Sequence, residues 1–356
     1  MPVVGVDTLE EITYQIFRAV GTPEEDARIT AHLIVESNVT GHDSHGVVAV
    51  PRYVRGIKEG YIVAGAPTEV VKDEPTYAIL DGHRNLGHVV AYRATEMAIE
   101  KARSTTISCV ALRNVAHIGR LGAYPEMAAR AGMGCIMCTG SGGVVHSVAP
   151  YGGSKGRTGT NPIAMAFPSD LEGPVLLDIA TSVHATGKIR VYQRQGVPFP
   201  QDWLIDSQGR PTTNPEDFYT GGAHRTFGGI AGYKGYGLSF FVEIMAGMLT
   251  RDGHARDTGL KDFMPHFSNG SLIILINVQS FLPVETLKRE IGDLTEWLKS
   301  SPPAEGFDEV LYPGEPEART RKERLARGVP LDDTTWDELK KLVQELNLTG
   351  SLPPLP

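Results

Sequence analysis

The first part of the chain carries apolar residues every three to four positions, which is the spacing of amphipathic helices. Thr8 and Glu11 have the spacing of a capping box in front of ITYQIFRAV, so we expect a helix to begin at Thr8. Thr22 is expected to cap a second helix, which runs through ARITAHLIVESNV to Gly41. With the further amphipathic stretch VPRYVRGIKEG, the pattern predicts helices through about the first seventy residues.

From about Thr76 the pattern changes to short β-rich runs separated by Gly, Pro and Asn. The runs predicted as strands are TYAILDG, ISCVALR, GCIMCTG, PIAMAFP, PVLLDIA and SLIILINV. AYPEMAARAG and GYKGYGLSFFVEIMAGML are predicted helices between them, and helices return after Val284 in TLKREIGDLTEWLKS and TTWDELKKLVQEL. We therefore expect an α/β domain at residues 76–283 and a discontinuous helical domain built from residues 1–75 and 284–356.

Composition narrows the class of partner. The 356 residues are 41% apolar and 21% charged with a net charge of −8, which offers no basic surface to a nucleic acid. No apolar run is long enough to span a bilayer, and the N-terminus does not resemble a secretory signal. Three cysteines argue against a disulfide framework. The expectation is a cytoplasmic protein that binds neither nucleic acid nor membrane.

Several common cofactor and metal motifs are absent. Gly132 and Gly134 supply two glycines of a dinucleotide fingerprint, but Met137 occupies the position of the third. No phosphate-binding loop ending in Gly-Lys-Ser or Gly-Lys-Thr is present. Cys135 and Cys138 form a single CxxC inside a strand-like run, so we interpret them as core cysteines and expect no metal site.

One polar cluster, HDSHG at residues 42–46, falls where the second predicted helix ends. Asp, Ser and Gly are ordinary residues of helix ends and turns, which is one interpretation of the cluster. The other makes His45 a proton donor that Ser44 holds in place. The cluster alone leaves both open.

Four glycine-rich segments join predicted strands to helices or turns: HIGRLGAY, GRTGTNP, DIATSVHATGKIR and GYKGYG. Glycine lets a backbone approach a ligand closely, and the N–H groups at a helix start attract phosphate. The helix that follows HIGRLG is therefore expected to present exposed N–H groups and Arg120 to a pyrophosphate, and Lys234 is expected to act similarly. The alternative is a set of tight turns with solvated charges. Four such segments together indicate a shared cleft.

Taken in order, these segments closely resemble the malate/L-lactate dehydrogenase family, whose oxidoreductases do not use the Rossmann fold. The resemblance extends over nearly the whole chain, from GHDSHG through HIGRLG, GTNP, LDIATS-x-x-A-x-GK and GYKG to YPGE. GVPFPQDWLIDSQGRPTTNP and YPGEPEARTRKERLARGVPLD are most similar to its hydroxycarboxylate dehydrogenase branch.

The resemblance implies a non-Rossmann NAD(P)-binding α/β domain with a largely antiparallel or mixed sheet, and a helical domain made from both termini. It also implies a homodimer that holds the cofactor and a small-molecule 2-oxo or 2-hydroxy acid between its domains. We expect the cofactor to be NAD or NADP, with NAD preferred. The expected reaction interconverts these acids by hydride transfer, as malate, lactate and aromatic hydroxycarboxylate dehydrogenases do.

The resemblance also implies roles for individual residues. His45 is the expected proton donor, Ser44 its partner and His117 the rival for the acid/base role. The expected cofactor-binding residues are His117, Ile118, Gly119, Arg120, Leu121, Ser141, Asp178, Ile179, Ala180, Lys234, Gly235, Gly314 and Glu315. The expected substrate-binding residues are Arg52, Thr160, Asn161, Lys188 and Arg190.

Two positions depart from the family pattern. Many relatives carry arginine four residues after the catalytic histidine, where it can clamp a carboxylate, but this chain has Ala49. Arg52 or Arg190 is expected to replace it. Lys188 stands where cyclic-imine reductases of the family tend to carry an acid. The positive charge of this lysine disfavours an iminium substrate. A cyclic-imine reductase, a ureidoglycolate- or sulfolactate-type dehydrogenase, and a catalytically idle cofactor-binding protein remain the alternatives.

Overall fold

The computed structural model of the protein describes residues 1–140, 145–185, 189, 192, 197–256 and 269–348. Its α-helices are α1 (Val6–Ala19), α2 (Glu24–Val39), α3 (Val50–Lys58), α4 (Gly87–Thr105), α5 (Ala123–Arg130), α6 (Glu216–Tyr219), α7 (Tyr233–Val242), α8 (Val284–Lys299), α9 (Glu315–Arg327) and α10 (Asp333–Glu345). Its strands are β1 (Val3–Val4), β2 (Glu69–Glu74), β3 (Tyr77–Asp81), β4 (Ile107–Arg113), β5 (Met133–Thr139), β6 (Ile163–Phe167), β7 (Val175–Ile179), β8 (Leu204–Ile205), β9 (Pro211–Thr212), β10 (Ala223–His224), β11 (Ser271–Asn277) and β12 (Val329–Pro330).

Seven strands form one mixed sheet in the order β2-β3-β4-β11-β5-β6-β7. β3 and β4 are parallel, and the other neighbouring pairs are antiparallel. This confirms the predicted α/β class with a mixed, mainly antiparallel sheet, and six of the seven strands coincide with predicted runs. The pattern does not predict β2, because all six of its side chains are exposed and EVVKDE therefore has no apolar face.

The register of the sheet brings several loops to one edge. Ser271, the first residue of β11, pairs with Leu112 near the end of β4 and with Thr139 at the end of β5. Ile163, the first residue of β6, pairs with Ile179 at the end of β7. The segment after β4, the segment before β6 and the end of β7 consequently meet. We call this region the loop edge; it comprises residues 114–122, 158–162 and 178–181.

Two hydrophobic cores lie on either side of α4. One core packs α1, α2, α3 and α10 together around Phe17, Tyr53 and Trp336, so it takes its side chains from both ends of the chain. The other lies between the large sheet and helices α4 and α5. The division into residues 1–75 plus 284–356 and residues 76–283 stays a proposal. Two elements outside residues 76–283 contact it: β2 pairs with β3, and Lys288 of α8 lies 3.3 Å from Asp170, in the connection between β6 and β7.

The two predicted helix caps are wrong, and three of the described helices are not predicted: α4, α9 and the four-residue α6. α1 begins before Thr8, with Gly5 at its N-cap, and Pro23 rather than Thr22 precedes α2; neither start has a side-chain cap. α4 buries mainly alanines on its sheet-facing side, which gives a weak apolar signal. α9 buries only Glu315 and is held by charged side chains, so it shows no apolar stripe. None of the described helices is long and apolar enough to cross a bilayer.

Candidate active site at the loop edge

The HDSHG cluster follows α2 and forms a single 3-10 turn over Asp43–His45. His42 lies 3.3 Å from Glu317 on α9. Asp43 binds Arg324, also on α9, through two contacts of 2.6 and 3.0 Å. The first two residues of the cluster thus attach the turn to α9, as the structural interpretation of the cluster requires.

Gly46 is fixed by its closeness to Asn38. The Asn38 carboxamide accepts the Val47 N–H at 2.8 Å and donates to Asp43 at 2.7 Å. A Cβ atom placed on Gly46 would lie 2.1 Å from the Asn38 Oδ1 atom, well inside contact distance. Glycine at this position therefore permits the turn that presents His45.

Substituting Gly46 by alanine should lower the free energy of unfolding by about 1–3 kcal/mol, because the added methyl group overpacks a hydrogen-bonded carboxamide. Urea unfolding would measure the change. Gly292, in the middle of α8 with open space around its Cα, is the matched control. Gly292→Ala should be neutral or stabilising by up to about 1 kcal/mol, because alanine has the higher helix propensity. Equal effects of the two substitutions would contradict this account of the turn.

His45 faces a second histidine, His117, in the segment that follows β4. The His45 Nδ1 atom lies 3.0 Å from the Ser44 hydroxyl. Its ring is nearly parallel to that of His117, with 14° between the planes and 5.8 Å between the centroids. The structure therefore brings together Ser44, His45 and His117, which are 73 sequence positions apart at the extremes (117 minus 44).

Two residues that the sequence interpretation overlooked complete this cluster. Tyr53, fully buried on α3, places its hydroxyl 2.7 Å from the Nδ1 atom of His117. His88, 1% exposed on α4, packs edge-on against the Tyr53 ring with centroids 5.2 Å apart. Neither ring nitrogen of His88 has a hydrogen-bond partner in the described part of the chain. Tyr53 fits the apolar stripe of VPRYV, and His88 lies in a helix that the pattern does not predict.

Arg52 is the cation of the cluster. No carboxylate among the described residues pairs with it, and its buried Nε atom has no partner there. Its Nη2 atom lies 3.4 Å from the Tyr53 hydroxyl. Ala49, where many relatives carry arginine, is 7% exposed and packs in the helical core. A guanidinium with unused donors next to two histidines is suited to hold a carboxylate.

Burial and positive charge keep the three histidines neutral. Burial, then His42, Arg52 and Arg120 lower the pKa of His45 to about 4. Burial, then Arg52 and His45 lower the pKa of His88 to about 3. The pKa of His117 is held well below its usual value by burial, Arg52 and the other two imidazoles. At neutral pH the rings can accept a proton or donate an N–H, but they do not carry charge.

The depressed pKa of His88 makes folding sensitive to acid. Between pH 6.5 and the folded-state pKa of about 3, the unfolded chain binds a proton that the folded chain does not, so stability falls as pH falls. From pH 7 to pH 5, wild type should therefore lose about 2 kcal/mol more unfolding free energy than His88→Gln. Urea unfolding at pH 5, 7 and 8.5 measures this. Between pH 7 and pH 8.5 the change in unfolding free energy should be nearly the same for the two proteins. Equal losses of unfolding free energy from pH 7 to pH 5 would contradict the prediction.

Arg120 does not present the exposed cation predicted for a pyrophosphate. Its side chain is 1% exposed and lies 3.3 Å from Glu126 and 3.8 Å from Asp178. Asp178 in turn accepts the Gly122 N–H at 2.8 Å, next to the start of α5. The Gly122 N–H at this helix start is therefore not free, because a carboxylate from β7 accepts its hydrogen bond and Arg120 lies beside that carboxylate; pyrophosphate binding here stays a prediction.

The GTNP segment forms hydrogen bonds inside the protein with part of its predicted substrate surface. Asn161 is 2% exposed, and its amide donates to Glu243 at 2.8 Å and to Ser239 on α7. The Asn161 Oδ1 atom is buried and has no hydrogen-bond partner among the described residues, so a role of Asn161 toward the substrate stays a prediction. Thr160 is partly exposed, and its carbonyl accepts both donors of Thr181 at 2.9 Å.

The remaining predicted cofactor residues differ in their availability. Lys234 is exposed in the first turn of α7 and has no ion pair among the described residues, while Gly235 packs directly against the Phe227 backbone. Gly314 has a left-handed φ of 96° in front of α9. The Glu315 carboxylate is not free, since Lys299 contacts its oxygens at 2.6 and 2.7 Å.

Ile118, Gly119 and Leu121 are buried in the loop edge, whereas Ile179 and Ala180 are partly exposed at the end of β7. Ser141, Lys188 and Arg190 lie outside the described residues. Within the described part of the chain no group of His, Cys, Asp or Glu residues could hold a metal ion. Cys135 and Cys138 are buried core residues, which confirms their interpretation. Burial raises the pKa of Cys138 to about 12.

Comparison with known proteins gives the family of this chain. The family model described as malate/L-lactate dehydrogenase matches residues 4–340. This chain belongs to that family. The family and its relatives support an oxidoreductase of the hydroxyacid dehydrogenase class.

Individual relatives of this malate/L-lactate dehydrogenase family member match over almost their whole length. A malate dehydrogenase of Pyrococcus abyssi is 38% identical, covering 97% of this chain and 95% of the relative. Hydroxycarboxylate dehydrogenase B of Escherichia coli K12 is 36% identical, covering 96% and 93%. The crystal structure of malate dehydrogenase from Entamoeba histolytica superimposes with a TM-score of 0.93 at 32% identity, covering 100% of this chain and 99% of that one.

Proposed function

We propose that this protein is an NAD- or NADP-dependent dehydrogenase that interconverts a 2-oxo acid and the corresponding 2-hydroxy acid. The observation that carries the proposal is the cluster of Ser44, His45 and His117 beside Arg52, whose guanidinium forms no ion pair with any of the described residues. A 2-oxo acid has a carboxylate, which suits Arg52, and a carbonyl oxygen that gains a proton on reduction, which suits a histidine.

The loop edge would offer a cofactor a backbone with small residues, and α7, whose Ser239 contacts Asn161 of the loop edge, would offer a cation. Lys234 is exposed in the first turn of α7, where backbone N–H groups also favour a phosphate. The partly exposed Ile179 and Ala180 and the segment around Gly119 border the same edge. A bound nicotinamide would supply or accept hydride at the substrate carbon. In our proposal the buried Arg120–Asp178 pair does not contact phosphate and instead supports the loop edge from the interior of the protein.

His45 is proposed to exchange the proton at the substrate oxygen. Because its pKa is about 4, it is neutral at pH 7 and ready to accept the proton of a 2-hydroxy acid. In the reduction direction it must be protonated. The negative charge of a bound substrate carboxylate favours that form. Ser44, 3.0 Å from Nδ1, holds the ring so that Nε2 is available to the substrate.

The pH profile should reveal the pKa of His45. For oxidation of a 2-hydroxy acid at saturating cofactor, kcat/KM should stay level from pH 8 to about pH 5 and fall by half near pH 4, because the base form persists down to its pKa of about 4. Initial rates over a pH series measure this. A half-point near 6.5, the ordinary histidine value, would contradict the assignment.

Oxidation of NADH and NADPH against oxaloacetate, pyruvate, phenylpyruvate, hydroxyphenylpyruvate and a cyclic imine tests the proposed reaction class. Turnover of at least one oxo acid with formation of the 2-hydroxy acid would support the proposal. Turnover of the imine alone would favour the imine reductase alternative. Cofactor binding without turnover of any substrate would favour the idle cofactor-binding protein.

We also propose that the protein is a cytoplasmic homodimer. Large apolar side chains are exposed along α7 and the turns around it, among them Ile230, Phe240, Phe241 and Leu249. Apolar surface of this kind is typical of protein interfaces. Light scattering of the purified protein tests the oligomeric state. The mass of a dimer is expected, and the mass of a monomer would exclude the homodimer.

A further inference from the structure

The two hydrogen bonds at the Nδ1 atom of His117 determine which of its nitrogens carries the proton. The Gly119 backbone N–H lies 3.1 Å from this atom and can only donate. Nδ1 is therefore the unprotonated, accepting nitrogen, and the proton of the neutral ring is on Nε2. The Tyr53 hydroxyl, 2.7 Å from the same atom, must then donate as well.

The surroundings of Tyr53 hold its hydroxyl at this position. The side chain is fully buried, with Phe17 at a centroid distance of 6.5 Å and His88 edge-on at 5.2 Å. The Arg52 Nη2 atom lies 3.4 Å from the hydroxyl oxygen and polarises it toward donation. Burial also raises the pKa of Tyr53, so the phenol keeps its proton.

The Nε2–H of His117 is the group left for a ligand. Nε2 forms no hydrogen bond within the described part of the chain, and the ring is partly exposed beside His45. Protonation of Nδ1 would set its new N–H against the Gly119 N–H and would require the Tyr53 hydroxyl to accept instead of donate. The groups facing the ring, namely Arg52 on α3, His45 and His88 on α4, also disfavour a second proton.

We infer that Tyr53 is a positioning residue that fixes His117 as a neutral imidazole with its proton on Nε2, so that His117 donates a hydrogen bond to the substrate and leaves proton exchange to His45. The inference rests on the proposed function for the role in turnover, but the assignment of the His117 proton stands on the free protein alone. It separates two histidines that otherwise compete for the acid/base role.

Nitrogen-15 NMR of histidine-labelled protein tests the assignment without any substrate. The chain has 11 histidines, and His117→Gln identifies the His117 signals by their loss. In wild type at pH 7, Nδ1 should have the shift of an unprotonated, hydrogen-bonded nitrogen and Nε2 that of an N–H. In Tyr53→Phe, the Nδ1 signal should move toward that of a free acceptor, and the pKa of His117 should rise because a donor to the neutral form is lost.

Tyr124→Phe is the matched control for loss of a buried hydroxyl. Tyr124 is 1% exposed and donates to the Ile118 carbonyl at 2.5 Å, in the same loop but without a bond to His117. Because the Ile118 carbonyl and the Gly119 N–H belong to one peptide group, this variant should move the His117 signals slightly, and much less than Tyr53→Phe does. A protonated Nδ1 in wild type, or equal shifts in Tyr53→Phe and Tyr124→Phe, would overturn the inference.

Kinetics of the double variant test whether Tyr53 acts through His117. Tyr53→Phe should lower kcat for 2-oxo acid reduction about tenfold in wild type but less than about twofold in His117→Gln, since the two residues act as one unit. The same factor in both backgrounds would overturn the positioning role. If wild type turned over no oxo acid while the NMR result held, the proposed function would fail and the proton assignment would stand.

Discussion

His45→Ala is expected to lower kcat for 2-oxo acid reduction by about two to four orders of magnitude, the usual contribution of a positioned general acid. The loss should come without unfolding. His45 is only partly buried, and the turn that carries it is attached to α9 through His42 and Asp43 rather than through His45. Steady-state rates with the best oxo acid of the panel, combined with thermal unfolding of the variant, measure both quantities.

Two further variants serve as comparisons for His45→Ala. Ser44→Ala should lose less activity than His45→Ala, because the hydroxyl only orients the ring from 3.0 Å. His83→Ala removes an exposed histidine that binds Glu69 at 2.9 Å, and it should keep the wild-type rate. Full turnover in His45→Ala would contradict the assignment and leave His117 or solvent as the proton donor.

Arg52→Leu is expected to lower kcat/KM for 2-oxo acids by about 10- to 100-fold, the value of charge-assisted hydrogen bonds to a carboxylate. Arg52→Lys should recover part of this loss, since lysine keeps the charge but not the planar pair of donors. Arg52 also lowers the pKa of His45, so the leucine variant should move the acid limb of the oxidation profile to higher pH. Initial-rate kinetics with wild type and both variants measure these effects.

Arg55→Leu is the control for Arg52. Arg55 lies one turn later on α3 and is exposed, so its loss should change kcat/KM by less than about twofold. Equal losses at both positions would indicate a general effect of charge. No loss at Arg52 would contradict its role and direct attention to Arg190 or Lys188 as the carboxylate anchor.

Much of the fold follows from local pattern because the main strands are buried. β5 and β11 are nearly continuous apolar runs bounded by glycine or asparagine, which predicts strands in the centre of a sheet. The apolar pattern does not predict elements that are held by strand pairing or ion pairs instead of by buried apolar side chains. β2 has no buried side chain, and α9 is held by ion pairs such as Arg324–Asp43 rather than by an apolar stripe. Strand order and register come from pairing between distant segments, which the sequence pattern does not contain.

Site residues could be predicted from the sequence where their partners are close to them along the chain. Ser44 and His45 are neighbours in a motif, and the structure places them 3.0 Å apart. The role of Tyr53 could not be predicted from the sequence, because a tyrosine in an amphipathic stripe has the pattern of a core residue until its partner is known. That partner, His117, is 64 positions away in the sequence.

Arg120 illustrates the opposite error. Its position before a helix predicts an exposed phosphate-binding cation, and only the packing of β7 against α5 reveals that Asp178 and Glu126 surround it. The number and sign of charges near a residue depend on elements far away in the chain. The HDSHG motif could therefore be recognised in the sequence, whereas the charges that surround Arg120 could not.

The measurement that tests the central claim most directly is the transfer of label during turnover. Wild type would be supplied with NADH or NADPH deuterated at the transferable position of the nicotinamide ring and with the preferred 2-oxo acid, and the product would be analysed by mass spectrometry and proton NMR. We expect a 2-hydroxy acid with one deuterium on carbon 2, formed by wild type and nearly abolished in His45→Ala. A product without deuterium at carbon 2, or oxidation of the cofactor with no hydroxy acid formed, would contradict the claim that this protein is a 2-hydroxyacid dehydrogenase.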